Sequence, residues 1–484
     1  MRKKTILITA LLFVGFLAGC KKEAVKQQPN IVYVLVDQWR AQATGYNGDP
    51  NLIGKTPNLD KIANEGVNFK NAVSTTPVCT PYRAALLTGQ YPSTTGMFLN
   101  DLHLPAESYT MAEMFKESGY NTAYIGKWHL DGMGRYENTP RERRQGFDYW
   151  KALECSHQYE DLKYYEGDDP KIKEWEGYGP YAETKDAISY VNRNAGSDQP
   201  FLLFLSIGAP HFPYQNTPRE MQKLFKPEDI ILQDNVPEEQ ALKAREQAAG
   251  YYAHILGLDK SIGELQEAID VAGISENTIF VFTSDHGEML GSHGWWPRQK
   301  QVSWAESVKI PFLLKYPARF GNDKIEVDAP IGTPDILPTL LTLADLTIPE
   351  SIEGENMSYA IGNNDAAKDK AAMIMQLSPF AGKFDEYRGV YTSRYAYIRT
   401  LEGPFRLFDN IVDPLQMNNL VGKPGYVEIQ QKLEAQLQQE LMKVGDEFKP
   451  RQYYIDKWNY TLTKGGYIDY SKNAAFQGPG LNKR

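Results

Sequence analysis

The densest chemistry in this chain lies in the string Val78-Cys79-Thr80-Pro81-Tyr82-Arg83. Proline is favoured in the first turn of a helix, where its missing N–H costs nothing, so Pro81 predicts a helix running to Leu87 and stopping near Gly89. The Cys79 thiol then stands at a helix N-terminus. Unpaired backbone N–H groups and the helix dipole favour an anion there, and Arg83, one turn on, adds a cation. A thiol set in an anion cradle points to chemistry on an anionic group. Four more strings carry ligand- or base-type side chains: Asp37-Gln38, Lys127-Trp128-His129, His211 after Ala209-Pro210, and Ser284-Asp285-His286-Gly287. Lys300 follows shortly after Trp295-Trp296-Pro297-Arg298.

Each of those four strings closes an apolar, β-branched run, over residues 31–36, 122–125, 201–206 and 278–283, and a fifth run spans 311–314. Helical segments lie between them: one capped by Thr56 with Pro57 in its first turn and running to Gly66, one over 109–118, and a long one over 238–272. Strands alternating with helices predict an α/β fold, a large and mostly parallel sheet sandwiched by helices. In open parallel sheets ligands bind in the crevice outside the carboxyl ends of the strands. An ordinary turn explains one polar strand end, but not four that all carry ligand or base side chains. Beyond 352–354 the pattern changes to short strand-like pieces (372–376, 389–391, 395–399), a turn-rich 409–419 and an amphipathic helix over 427–444. The organisation predicted is a catalytic domain over 31–365 and a smaller α+β subdomain over 366–484, whose tail from 453 is aromatic and Gly-rich without periodicity.

The 484 residues are 42% hydrophobic and 23% charged, the composition of a soluble globular protein. A net charge of −9 without a basic stripe speaks against nucleic-acid binding, so any anion must be captured by a locally positive pocket. Arg2, Lys3 and Lys4 precede an apolar run over 6–17, which is shorter than the roughly 20 residues a spanning helix needs. The sequence Leu17-Ala18-Gly19-Cys20 resembles the lipobox of bacterial lipoproteins. It implies a signal peptide over 1–19, lipidation of Cys20, a polar tether over 20–30, and an exported protein held to a membrane by lipid alone, in the periplasm or at the cell surface. Only Cys79 and Cys155 remain, and Cys155 reads as a small structural residue.

The motif C-x-P-x-R at Cys79, Pro81 and Arg83, continued by Ala84-Ala85-Leu86-Leu87-Thr88-Gly89, resembles the signature of the formylglycine-dependent sulfatases, a branch of the alkaline phosphatase superfamily. The resemblance runs from Pro29 to Leu420 and is to bacterial carbohydrate sulfatases. It implies that a separate maturase oxidises Cys79 to formylglycine, whose hydrate offers the nucleophile. It also implies one divalent cation held by Asp37, Gln38, Asp285, His286 and residue 79. Gln38 stands where many members carry a second Asp, and its carbonyl oxygen is a legitimate ligand for a hard cation. The oxygen-rich set suits calcium, with magnesium second. Arg83 and Lys127 would bind sulfate, His211 or Lys300 would protonate the leaving alcohol, and His129 would take a proton in the later elimination. The expected substrate is a sulfated saccharide, cut as an exo-acting sulfuric ester hydrolase. His103, within Asn100-Asp101-Leu102-His103, and Arg298 are candidate substrate contacts at the rim. Two readings compete. A phosphatase or phosphodiesterase of the same superfamily would place Ser or Thr at the nucleophile and hold two metals. A lipid-anchored glycan-binding protein would have no use for Asp37, His129, His211 and Asp285 at strand ends.

Overall fold

The computed structural model describes residues 28–379 and 384–469. The expected signal segment, Cys20, most of the expected tether and the chain after 469 lie outside the described residues. Ten strands form one sheet in the spatial order Ile325–Val327, Val67–Phe69, Phe312–Lys315, Thr278–Ser284, Asn30–Asp37, Phe201–Pro210, Asn121–Lys127, Tyr149–Leu153, Lys163–Glu166, Lys173–Glu174. The five strands from Thr278–Ser284 to Tyr149–Leu153 run parallel. Their near-continuous apolar runs are those of strands buried on both faces. Alternation along Asn30–Asp37 shows this: Ile31, Tyr33 and Leu35 point into one core, Val32, Val34 and Val36 into the other.

Outside this parallel centre the sheet is mixed. Phe312–Lys315 pairs antiparallel with Thr278–Ser284, because the chain leaves that strand at its carboxyl end and returns at the same end without a long crossover helix. The helices Pro57–Asn64, Gly179–Asn194 and Glu238–Val271 cover one face, and Cys79–Thr88, Met111–Glu117 and Thr333–Leu343 cover the other. The helices at 179–194 and 333–343 have no counterpart among the predicted segments. In the second, Pro338 interrupts the pattern that a sequence reading relies on.

Ala372–Gln376, Tyr387–Tyr391, Tyr395–Thr400 and Gly403–Asp409 form a four-stranded antiparallel sheet backed by helix Val427–Lys443. Its core is continuous with the large one: Leu340, Met373 and Leu437 belong to a single apolar cluster, and the Met375 N–H donates to the Thr75 carbonyl at 2.7 Å. The tail that lacks periodicity in sequence contains a short helix, Arg451–Lys457. Trp458, which follows that helix, lies so close to Gly96 that a Cβ there would come within 2.5 Å of its ring, an approach only glycine permits. Among the described residues no helix is long and apolar enough to cross a membrane.

Candidate active site

Cys79 is the first residue of helix Cys79–Thr88, after an extended Val78, and the helix ends at a left-handed Gly89. The thiol is 1% exposed, with Sγ 3.8 Å from Asp37 Oδ1, 3.4 Å from His286 Nε2 and 3.5 Å from Lys300 Nζ. Arg83 is buried close by. Its Nη1 donates to the Lys127 carbonyl (3.0 Å) and to Ser206 Oγ (2.7 Å), and its Nη2 donates to Asp285 Oδ2 (3.2 Å). Lys127 Nζ donates to Asp37 Oδ2 at 2.5 Å. Gly126, with φ +106°, makes the approach of these strands possible, since a Cβ there would lie 2.0 Å from the Ser206 carbonyl. The four polar strand ends therefore do converge, as the sequence implied.

The site is positive where an anion would lie. Burial and Asp37 push the Cys79 thiol up, yet Lys127, Lys300 and His286 outweigh them and hold it well below the usual thiol range. Burial also opposes ionisation of Asp37, but Lys127 leads the neighbours that keep it well below the carboxylate range. Three cations, Arg83, Lys127 and Lys300, thus face two buried carboxylates. A tetrahedral oxyanion completes that balance.

The donor set can also hold a metal ion. One ligand atom from each of Asp37, Cys79, Asp285 and His286 falls within 4.8 Å of the others, and all four residues are buried. Burial, with Asp37 adding repulsion, pushes Asp285 up to about 6, a repulsion that a cation between the two carboxylates relieves. The Lys300 ammonium already stands against this cluster, 3.3 Å from His286 Nε2 and 3.1 Å from Gln38 Oε1. Gly287 lets the ligand turn close against the neighbouring chain, for a Cβ there would lie 1.9 Å from the Glu306 carbonyl.

His211 and Lys300 are paired, with Nε2 and Nζ 3.0 Å apart. The Phe212 carbonyl 2.8 Å from His211 Nδ1 can only accept, which fixes the proton on Nδ1 and leaves Nε2 as acceptor. Burial and then Lys300 hold His211 well below its ordinary range, so its imidazole is neutral. His157 stacks on it at 4.3 Å. His129 faces the other side of the site. Its Nε2 is 2.9 Å from Asp101 Oδ1, while Nδ1 is buried without a hydrogen-bond partner. Burial opposes its charge, but Cys155 and Asp101 prevail and raise it to about 10.

Not every predicted contact joins this group. His103 is 1% exposed and its Nδ1 lies 2.9 Å from the Asp131 carbonyl, so it is buried beside Asp131, not bonded to the Cys79 cluster. Arg298 is exposed at the mouth, its guanidinium 4.8 Å over the Phe212 ring beside His211. Sequence places Asp101 at the rim with its neighbours; the structure puts its carboxylate on His129 and Arg135. Ser206, the holder of Arg83, carries no signal in the sequence beyond ending a strand. Cys155 is a buried free thiol in the field of His129 and Lys127. Burial opposes its ionisation, yet those two cations lower it to about 6.

Comparison with known proteins agrees with this geometry. Residues 29–346 match the family model described as Sulfatase, and 291–443 match that of the N-sulphoglucosamine sulphohydrolase C-terminal region. The chain is similar to an ulvan-active sulfatase of Formosa agariphila, 52% identical with 94% of this chain and 90% of the relative covered. It is similar to an endo-4-O-sulfatase of Bacteroides thetaiotaomicron at 30% identity, covering 83% and 90%. A solved structure in complex with its substrate D-glucosamine-2-N,6-O-disulfate superposes with a TM-score of 0.73 at 25% identity, covering 87% of this chain and 99% of that one. The motif C-x-P-x-R at a helix start, four converging strand ends and a family model that matches most of the chain leave one assignment: this chain belongs to the sulfatase family of sulfuric ester hydrolases.

Proposed function

We propose that this protein removes O-sulfate from a carbohydrate, acting on chain ends, through a formylglycine made from Cys79 and one divalent cation, calcium ahead of magnesium. The observation that carries the reading is the placement of Cys79 Sγ at a helix N-terminus within 3.8 Å of Asp37, His286 and Lys300. A saccharide substrate is supported by relatives named as ulvan-active and N-acetylglucosamine-6-O sulfatases and by the bound glucosamine disulfate of the similar structure.

Asp37, Asp285, His286 and the Gln38 carbonyl would hold the cation, which would polarise sulfate and the nucleophile. A hydrated formylglycine at position 79 would supply the attacking oxygen. The chain's own groups do the rest. Arg83 and Lys127, both buried, orient the sulfate oxygens and neutralise them. The departing sugar oxygen takes its proton from the Lys300–His211 pair; since His211 is neutral, that proton resides on Lys300. His129, anchored by Asp101, turns its unpartnered Nδ1 to the proton lost in the elimination that releases sulfate.

Assay of sulfate and phosphate release from a panel of sulfated and phosphorylated saccharides tests this reading. Sulfate release alone is expected, abolished by a chelator and restored by calcium. Preferential phosphate release would move the protein to the phosphatase reading, and release of neither to the glycan-binding one. Calcium at a hundredfold excess over Kd is expected to stabilise the folded protein by about 2.7 kcal/mol.

The lipobox-like N-terminus leads us to place the mature protein at a membrane through lipid on Cys20, reached by export and dependent on a separate maturase. Fatty-acid labelling in cells should vanish in Cys20→Ala. Labelling that persists would refute the anchor, and protease shaving of whole cells distinguishes periplasm from surface.

A further inference from the structure

Gln38 is the one amide of the donor set, and an amide is a ligand only if its oxygen, not its NH₂, faces the cation. Three neighbours of unambiguous chemistry surround it. Lys300 can only donate, and its Nζ is 3.1 Å from Oε1. The Arg298 carbonyl can only accept, and it lies 3.3 Å from Nε2. Glu288, 0% exposed, takes a very short hydrogen bond from Nε2 on its Oε2. Glu288 is itself fixed on every side: Oε2 accepts from Tyr214 Oη at 2.5 Å, and Oε1 accepts from the backbone N–H groups of Leu290 (2.9 Å) and Arg298 (2.6 Å).

We propose that Glu288 is the positioning residue of the cation site: its side chain, itself held by Tyr214 and two backbone N–H groups, locks the Gln38 amide with the oxygen toward the cation. This rests on the cation reading above. Outer partners that orient ligands are typically worth about 10–100-fold in metal affinity. Carboxylate ligands have two equivalent oxygens and need no such lock, so the requirement is particular to a glutamine here. The lock also couples the cation to the substrate mouth, since the same Glu288 side chain pins the backbone of Arg298.

The isosteric Glu288→Gln provides the test. The two backbone N–H groups keep the new amide oxygen at the Oε1 position, so its NH₂ faces Gln38 and forces that amide to turn its own NH₂ toward the cation. Titration calorimetry of the purified, unmatured protein with calcium reads affinity without turnover. At an unchanged cation-free Tm, Glu288→Gln is expected to weaken calcium binding at least about tenfold. In a Gln38→Asp background, which has no amide to turn, the same change is expected to cost twofold or less. Equal losses in both backgrounds would overturn the lock and leave Glu288 a general structural residue. Should Gln38→Asp bind no cation, the single variant decides, and affinity within twofold of the parent overturns the proposal. A parent that binds neither calcium nor magnesium overturns the cation reading itself, whereas a binding parent with an indifferent Glu288→Gln overturns the lock alone.

Discussion

Cys79→Ala is expected to lose sulfate release by on the order of 10⁴–10⁶-fold, the scale on which removal of an enzymatic nucleophile acts. The variant should fold. Cys79 is small and begins a helix whose start is already set by an extended Val78, and alanine is a good helix former. With Arg83, Lys127 and Lys300 left in place, it is expected to keep binding sulfated saccharide, which separates loss of chemistry from loss of the site. Cys79→Ser asks a second question. It preserves shape and polarity, so equal inactivity would mean that the maturase requires a thiol, while recovered activity would mean that a hydroxyl can serve. Mass spectrometry of the tryptic peptide ending at Arg83 should show, in active protein, sulfur replaced by oxygen with the loss of two hydrogens, the change from a thiol to an aldehyde. Full activity with an intact thiol would refute the formylglycine reading.

The second large effect divides the two halves of the reaction. A sugar alkoxide is a poor leaving group, whereas a nitrophenolate departs almost unaided. Lys300→Ala and His211→Ala should therefore depress turnover of a sugar sulfate by ~10²–10⁴-fold while sparing an activated aryl sulfate, the range found for general acid–base groups. His129→Ala should behave differently: the sulfated enzyme accumulates with either substrate, giving a burst of alcohol followed by near silence. Since Cys155 and Asp101, against the effect of burial, raise His129 to about 10, its imidazole carries a proton at neutral pH. The elimination step is then expected to quicken as pH rises toward that value. Equal losses on both substrates for the Lys300 and His211 variants would move those residues to sulfate binding, and an absent burst in His129→Ala would remove it from the elimination.

How far the sequence reaches depends on how local each feature is. The start of the Cys79 helix is legible because Pro81 and Gly89 mark the segment within a few residues. The four central strands are legible because burial on both faces demands unbroken apolar runs, and a parallel sheet then brings their polar ends to one crevice. Resemblance assigns Asp37, Asp285 and His286, and the structure gathers them. What the sequence does not reveal is written in distant partners. Gln38, Asp101, His129 and Arg298 all have positive φ, between 59° and 85°, although none is a glycine. Such backbone is imposed by the surrounding fold and leaves no mark on neighbouring letters. The same holds for Asp101 behind His129, for the Lys300 ammonium against His211 Nε2, and for the antiparallel return of Phe312–Lys315. Thus the sequence alone determined which residues could do the chemistry, because helix starts and buried strands are encoded over a few neighbours. Tertiary structure alone decided how those residues are oriented and charged, because many of their hydrogen-bond partners lie tens to hundreds of residues away and meet only when the sheet closes.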